Sequence, residues 1–185
     1  MNAWQLRRAV QTLRSGGVVA YPTEAVYGLG CDPWNEHAIV RLLAIKGRSL
    51  DKGLILIAAS HDQLAPLLRP EATLDMAQVL KSWPGPTTWL LPAARHVPDW
   101  LTGGSGCIAV RVTAHPLAAK LCRGFAGALV STSANRSGRP AARSALKARR
   151  TLGAEVDYFL TGPTGGAARP TEIRDVRDGR VLRTG

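Results

Sequence analysis

Apolar residues at Leu6, Ala9, Val10 and Leu13, with Arg7 and Arg8 between them, recur at helical spacing and predict a first helix over 1–14, stopped by Ser15-Gly16-Gly17. Residues 18–21 then read as a strand ended by Pro22, and 22–32 as a loop rich in groups able to face a ligand. Asn35 is placed as the N-cap of a second helix, with Ile39, Leu42 and Leu43 as its buried stripe and Lys46-Gly47 as its end. The run 54–58 is apolar, bounded by Gly53 and too short for a helix, so it reads as a buried strand. Ser60 is expected to cap a short helix carrying Leu64, Leu67 and Leu68, with a further helix over 71–82. Trp83-Pro84-Gly85-Pro86-Thr87 is a stiff turn into a strand at 88–91, and 100–106 is a loop serving as lid or connection. Strands at 107–112, 128–130 and 156–160, helices at 117–122 and 144–152, a glycine loop at 162–166, and strands near 171–174 and 181–183 complete the pattern. Strands alternating with helices give an α/β chain, expected as a single domain over 1–185 with a twisted mixed sheet flanked by helices.

Composition changes this picture little, and charge changes it more. At 185 residues, 45% hydrophobic and 20% charged, the chain is globular and can bury a core without staples. Cys31, Cys107 and Cys122 are odd in number and contain no C-x-x-C pair, which argues against a disulfide framework or zinc site and for core thiols in a reducing compartment. The first residues lack the apolar run of a signal peptide and nothing is long enough to span a membrane, so the expectation is a cytoplasmic protein. The formal net charge is +11, carried mostly by arginine, and 136–183 is notably basic. That balance suits RNA or a nucleotide with several phosphates; a basic surface that is simply solvated is the alternative.

Four stretches carry candidate chemistry. Lys46 and Arg48 sit at the helix-to-strand changeover, either as a phosphate clamp or as a helix-end cation beside a solvated arginine. Arg111 stands in an otherwise apolar run and must pair with an internal acid or hold a ligand carboxylate or phosphate. Ser131-Thr132-Ser133-Ala134-Asn135-Arg136-Ser137-Gly138 follows a strand with closely spaced hydroxyls and an amide, the chemistry of an anion-binding loop or of plain turns. Arg183 ends the last strand. Neither G-x-x-x-x-G-K-[ST] nor G-x-G-x-x-G is present, and no Ser-His-Asp set or H-E-x-x-H is found. With the cations at or near strand ends, where α/β sheets gather ligands, the set reads as one basic cavity.

The chain resembles the YrdC/TsaC family through Pro22-Thr23-Glu24-Ala25-Val26-Tyr27-Gly28-Leu29-Gly30, the K-x-R of Lys46 and Arg48, Ala109-Val110-Arg111, the S-x-N of Ser133 and Asn135, and Pro170-Thr171-Glu172-Ile173-Arg174-Asp175 with Val181-Leu182-Arg183-Thr184-Gly185. The resemblance implies a YrdC/RibB-like fold around a basic cavity. It implies a short-form L-threonylcarbamoyladenylate synthase, a nucleotidyltransferase that joins L-threonine, bicarbonate and ATP and releases pyrophosphate, with Mg²⁺ accompanying the nucleotide and no protein-held metal. Lys46 and Arg48 are then the catalytic cations; with Ser131, Ser133, Asn135 and Arg183 they hold ATP, while Thr23, Arg111 and Thr171 hold threonine. Glu24 is a candidate base or a shaper of its loop. The product would feed threonylcarbamoyladenosine formation in tRNA through TsaB/TsaD/TsaE. Ser49 and Lys52-Gly53 depart from the family's frequent Pro and Asn-Pro, and Thr171 replaces Ser while keeping the hydroxyl. Two rivals remain: a non-catalytic RNA-binding maturation factor, and a sugar-phosphate enzyme on the RibB-type fold, which would need clustered acids that this chain lacks. On this reading Lys46→Ala and Arg48→Ala weaken ATP use with the fold intact.

Overall fold

The computed structural model describes residues 2–184; Met1 and Gly185, the ends of the expected domain, lie outside it. Helix α1 (Ala3–Arg14) starts at a reciprocal cap in which Asn2 Oδ1 accepts from Gln5 N and Gln5 Oε1 accepts from Asn2 N. Strand β1 (Val19–Pro22) follows and turns back into β2 (Tyr27–Gly30). Helix α2 (Glu36–Lys46), capped by Asn35 Oδ1 on Ala38 N, leads through a 3₁₀ turn to β3 (Ile55–Ala58). Then come α3 (Met76–Lys81), β4 (Thr87–Pro92), α4 (Asp99–Thr102), β5 (Cys107–Val112), α5 (Pro116–Phe125), β6 (Leu129–Val130), β7 (Thr132–Ser133), α6 (Ala145–Leu152), β8 (Tyr158–Phe159), β9 (Glu172–Asp175) and β10 (Val181–Arg183).

The α/β class and flanking helices are as expected, but the strands form two mixed sheets rather than one. One runs β7-β2-β1-β8 and the other β10-β9-β4-β5-β3-β6. The chain changes sheets at Ser131, between β6 and β7. Strands β1 and β3 are apolar without a break because each is buried on both faces: Ala20, Leu56 and Ala58 join the large core with Tyr27, Leu29, Ile39, Trp89 and Val110, whereas Val19, Tyr21 and Ile57 face α1 and α5 through Leu13, Leu121 and Cys122.

Four sequence expectations are corrected. The loop at 22–32 contains β2, in which the buried Tyr27 and Leu29 alternate with Gly28 and Gly30. The helix over 71–82 shrinks to Met76–Lys81, because Asp75 caps it on Gln78 N. The helix after Ser60 is two 3₁₀ turns, His61–Gln63 and Ala65–Leu67, and Ser60 makes no side-chain cap. The segment at 100–106 is a connection, with Leu101 buried and its carbonyl accepting from Leu54 N at 2.9 Å. No described helix is long and apolar enough to cross a membrane.

At Gly30, β2 packs tightly against β6 of the other sheet. A Cβ there would stand 2.4 Å from the Val130 carbonyl and 2.8 Å from the Tyr21 ring. Gly30→Ala is therefore expected to cost about 2 kcal/mol through overpacking, on the order of 5 °C in a thermal melt. An unchanged midpoint would mean that the backbones are not this close.

Candidate active site

A cavity of about 660 Å³ opens where the sheets part, and Thr23, Lys46, Arg48, Arg111, Ser131, Ser133, Asn135, Thr171 and Arg183 all line it, whereas Glu24 does not. Its cationic end is built at the close of α2. Gly47 adopts φ 59°, which lets Arg48 N donate back to Leu43 O and turns the chain toward β3. Lys46 closes α2 but is only 4% exposed, and Arg48 is half-buried rather than solvated. Its Nζ donates to Ser133 O at 2.6 Å and Asn135 O at 3.0 Å, and its carbonyl accepts from Ser137 N. An ammonium has three N–H groups, so one remains for a ligand. Burial first, and the Arg48 charge second, push Lys46 down to about 8.

Arg48 Nη2 donates to Gly53 O at 2.8 Å and Lys52 O at 3.1 Å. Arg183, on β10, donates from Nη2 to Thr171 O at 2.9 Å. Burial lowers the pKa of both, and the charges of Arg111 and Arg48 lower that of Arg183 further. Lys52 and Arg139 also line the wall, and no Asp or Glu does. These two cations were missed as site residues; Lys52, one 3₁₀ turn beyond Arg48, was the legible one.

The other end is built around Arg111, 5% exposed on β5. Nη1 donates to Thr171 Oγ1 at 2.6 Å and Thr88 Oγ1 at 3.2 Å, and Nη2 to Glu24 Oε2 at 3.3 Å. Arg111 thus has an internal acid, as one of its two readings required, and it also lines the cavity. Thr23 shapes the turn before β2, its hydroxyl donating to Val26 O at 2.7 Å. Ser131, buried at the sheet changeover, lies between the two ends. Glu24 is no base. Burial raises its pKa, but the Arg111 charge and the Thr113 hydroxyl outweigh burial and hold it below the ordinary value, and both oxygens already accept hydrogen bonds.

Among the described residues, the buried side-chain polar atoms without a partner are Arg48 Nε, Arg111 Nε and Asn135 Oδ1, and all three belong to this cavity. Buried polar atoms are normally paired, so two unpaired donors and an acceptor on residues lining one cavity point to a ligand site. The donor set is cationic and hydroxylic. Without a lining carboxylate, it offers no ligand set for Mg²⁺, and no group of His, Cys, Asp and Glu suited to a metal occurs among the described residues.

Residues 11–185 match the family model Sua5_yciO_yrdC, described as telomere recombination. The chain belongs to the Sua5/YciO/YrdC family. It is 56% identical over 180 residues to a threonylcarbamoyl-AMP synthase of Nitrosococcus oceani, with 97% of each chain covered. To one of Alkalilimnicola ehrlichii it is 57% identical over 183 residues, covering 97% of this chain and 95% of the relative. Among solved structures, P. abyssi Sua5 complexed with L-threonine is similar with a TM-score of 0.91 at 34% identity, over 99% of this chain and 54% of that one. The chain therefore spans about half the length of that Sua5. E. coli YciO shares the fold, with a TM-score of 0.84 at 24% identity over 96% of this chain and 87% of that one.

Proposed function

We infer that this member of the family is a threonylcarbamoyl-AMP synthase, joining L-threonine, bicarbonate and ATP into threonylcarbamoyl-AMP with release of pyrophosphate. The observation that carries this reading is a two-ended cavity without a protein nucleophile: cations at one end, and a buried guanidinium ringed by threonine hydroxyls at the other. On this assignment Lys46, Arg48, Ser133, Asn135 and Arg183 hold the nucleotide phosphates. Arg111 holds the threonine carboxylate, Thr23 and Thr171 its surroundings, and Ser131 lies at the junction.

Threonine's ammonium and bicarbonate combine to a carbamate with loss of water and a proton. A carbamate oxygen then attacks the α-phosphorus, and the bond to the bridging oxygen of pyrophosphate breaks. Charge grows on the phosphoryl oxygens and the departing pyrophosphate, where Lys46, Arg48 and Arg183 are already in place, and holding both substrates in one cavity removes the entropic cost of their meeting. Mg²⁺ enters as part of the nucleotide substrate, and no step is assigned to it. The mixed anhydride formed is a carbamoyl donor for threonylcarbamoyladenosine on tRNA in the cytoplasm, with TsaB/TsaD/TsaE as the implied consumers. The exposed Arg143, Lys147 and Arg150 offer a surface on which RNA could rest, a role compatible with turnover.

Pyrophosphate release from ATP, measured with threonine and bicarbonate each left out in turn, tests the assignment. Release is expected only with both present. Turnover indifferent to threonine overturns it.

A further inference from the structure

Glu24 joins three walls of the Arg111 end. Its carboxylate meets Arg111 on β5, while Oε1 accepts from Thr113 Oγ1 at 2.6 Å and from Ala114 N at 3.2 Å. Thr113 Oγ1 in turn accepts from His115 N at 3.1 Å, which leaves its own proton for Glu24. Through the main chain, Glu24 O accepts from Ala167 N at 2.9 Å and Thr23 O from Gly165 N at 3.0 Å. A Cβ on Gly165 would stand 3.0 Å from Glu24 O and 3.1 Å from Glu24 Cα, so a larger residue would have to push this turn back. The loop so held leads to Thr171, whose hydroxyl closes the circuit on Arg111.

The hydrogen-bond count on Arg111 gives the circuit its meaning. A guanidinium carries five N–H groups. Nη1 spends two on Thr88 and Thr171, Nη2 spends one on Glu24, and Nε is buried without a partner. One N–H on Nε and one on Nη2 therefore remain, and these two atoms share the edge of the plane that a carboxylate engages with two oxygens. Glu24 is itself a carboxylate in contact with Nη2. With Oε1 pinned by Thr113 and Ala114, only Oε2 reaches Arg111, and Nε keeps no protein partner.

We propose that Glu24 is a positioning residue: pinned by Thr113 to single-point contact, it fixes the plane of Arg111 and leaves one guanidinium edge open for the α-carboxylate of the amino-acid substrate. This rests on the reading of Arg111 as the carboxylate site. Glu24→Gln removes the charge that orients the guanidinium. Thr113→Val frees Glu24 to swing onto the open edge and compete with the substrate.

The test is direct binding of L-threonine and, separately, of a non-hydrolysable ATP analogue to the wild-type chain, both single variants and the double variant, each first checked for a cooperative melt. Each single variant is expected to weaken threonine binding roughly tenfold, the scale of a lost hydrogen bond to a charged group, with nucleotide affinity within about twofold of wild type. The double variant is expected to be no weaker than Glu24→Gln alone, because without the carboxylate Thr113 has nothing to restrain. A merely structural role predicts losses that multiply and reach the nucleotide too. Unchanged threonine affinity in both single variants, or multiplied losses in the double, overturns the proposal. A wild-type chain that binds nucleotide but no threonine removes the carboxylate site itself, and the proposal falls with it.

Discussion

Arg111→Ala is expected to lower the melting temperature by roughly 10 °C and to reduce threonine-dependent pyrophosphate release at least a hundredfold. Two separate causes act. For stability, the substitution leaves Glu24, 8% exposed, without the cation that compensates its charge, and breaking a buried pair from one side costs about 3–5 kcal/mol. For activity, it removes the group assigned to the threonine carboxylate. Arg111→Lys separates the two effects. A lysine ammonium restores a positive charge near Glu24 and much of the stability, but it cannot present two parallel N–H groups from a plane already anchored on Thr88 and Thr171. The lysine variant should therefore melt near wild type and still fail in threonine use. A wild-type KM for threonine in Arg111→Lys would show that the guanidinium edge is not the carboxylate site.

What the sequence made legible and what it hid follow from the range of the interactions. The end of α2, the turn at Gly47 and the caps at Asn35 and Ser144 are local, and each leaves its mark within a few residues. The Glu24–Arg111 pair spans 87 positions, so the sequence shows an arginine needing an anion without showing which anion. The burial of Lys46 was hidden for a different reason. Its partners are the carbonyls of Ser133 and Asn135, and a main-chain oxygen has no residue signature. Strand β2 escaped because Gly28 and Gly30 read as loop residues, although close approach to β6 requires glycine at 30, where a Cβ would stand 2.4 Å from the Val130 carbonyl. With β2 read as loop, the second sheet was invisible, and with it the changeover at Ser131 that opens the cavity.

Lys46 carries the second large effect, and its sign can be worked out. Lys46→Met is expected to weaken binding of a non-hydrolysable ATP analogue about a hundredfold, since it removes one charge from the phosphate site and frees the loop held through Ser133 and Asn135. Some stability is expected to go with it, because the two carbonyls lose their buried donor, at about 1–3 kcal/mol in all. In the free wild-type chain, burial and the Arg48 charge bring Lys46 to about 8, from an ordinary 10.5. Below that value it is charged in both the free and the bound chain and contributes no pH dependence. Above it, binding phosphates must first restore the proton, so affinity falls by up to about tenfold per pH unit and binding takes up protons. Folding responds in the opposite sense. The unfolded chain holds this proton up to 10.5, so the penalty of burying the charge is fully present below about 8 and is relieved as pH rises through that window. Nucleotide titrations between about pH 7.5 and 9.5 should therefore show weakening affinity in the wild type and a flat profile in Lys46→Met. A flat wild-type profile would take Lys46 out of the phosphate site and leave it as a staple between α2 and the loop that follows β7.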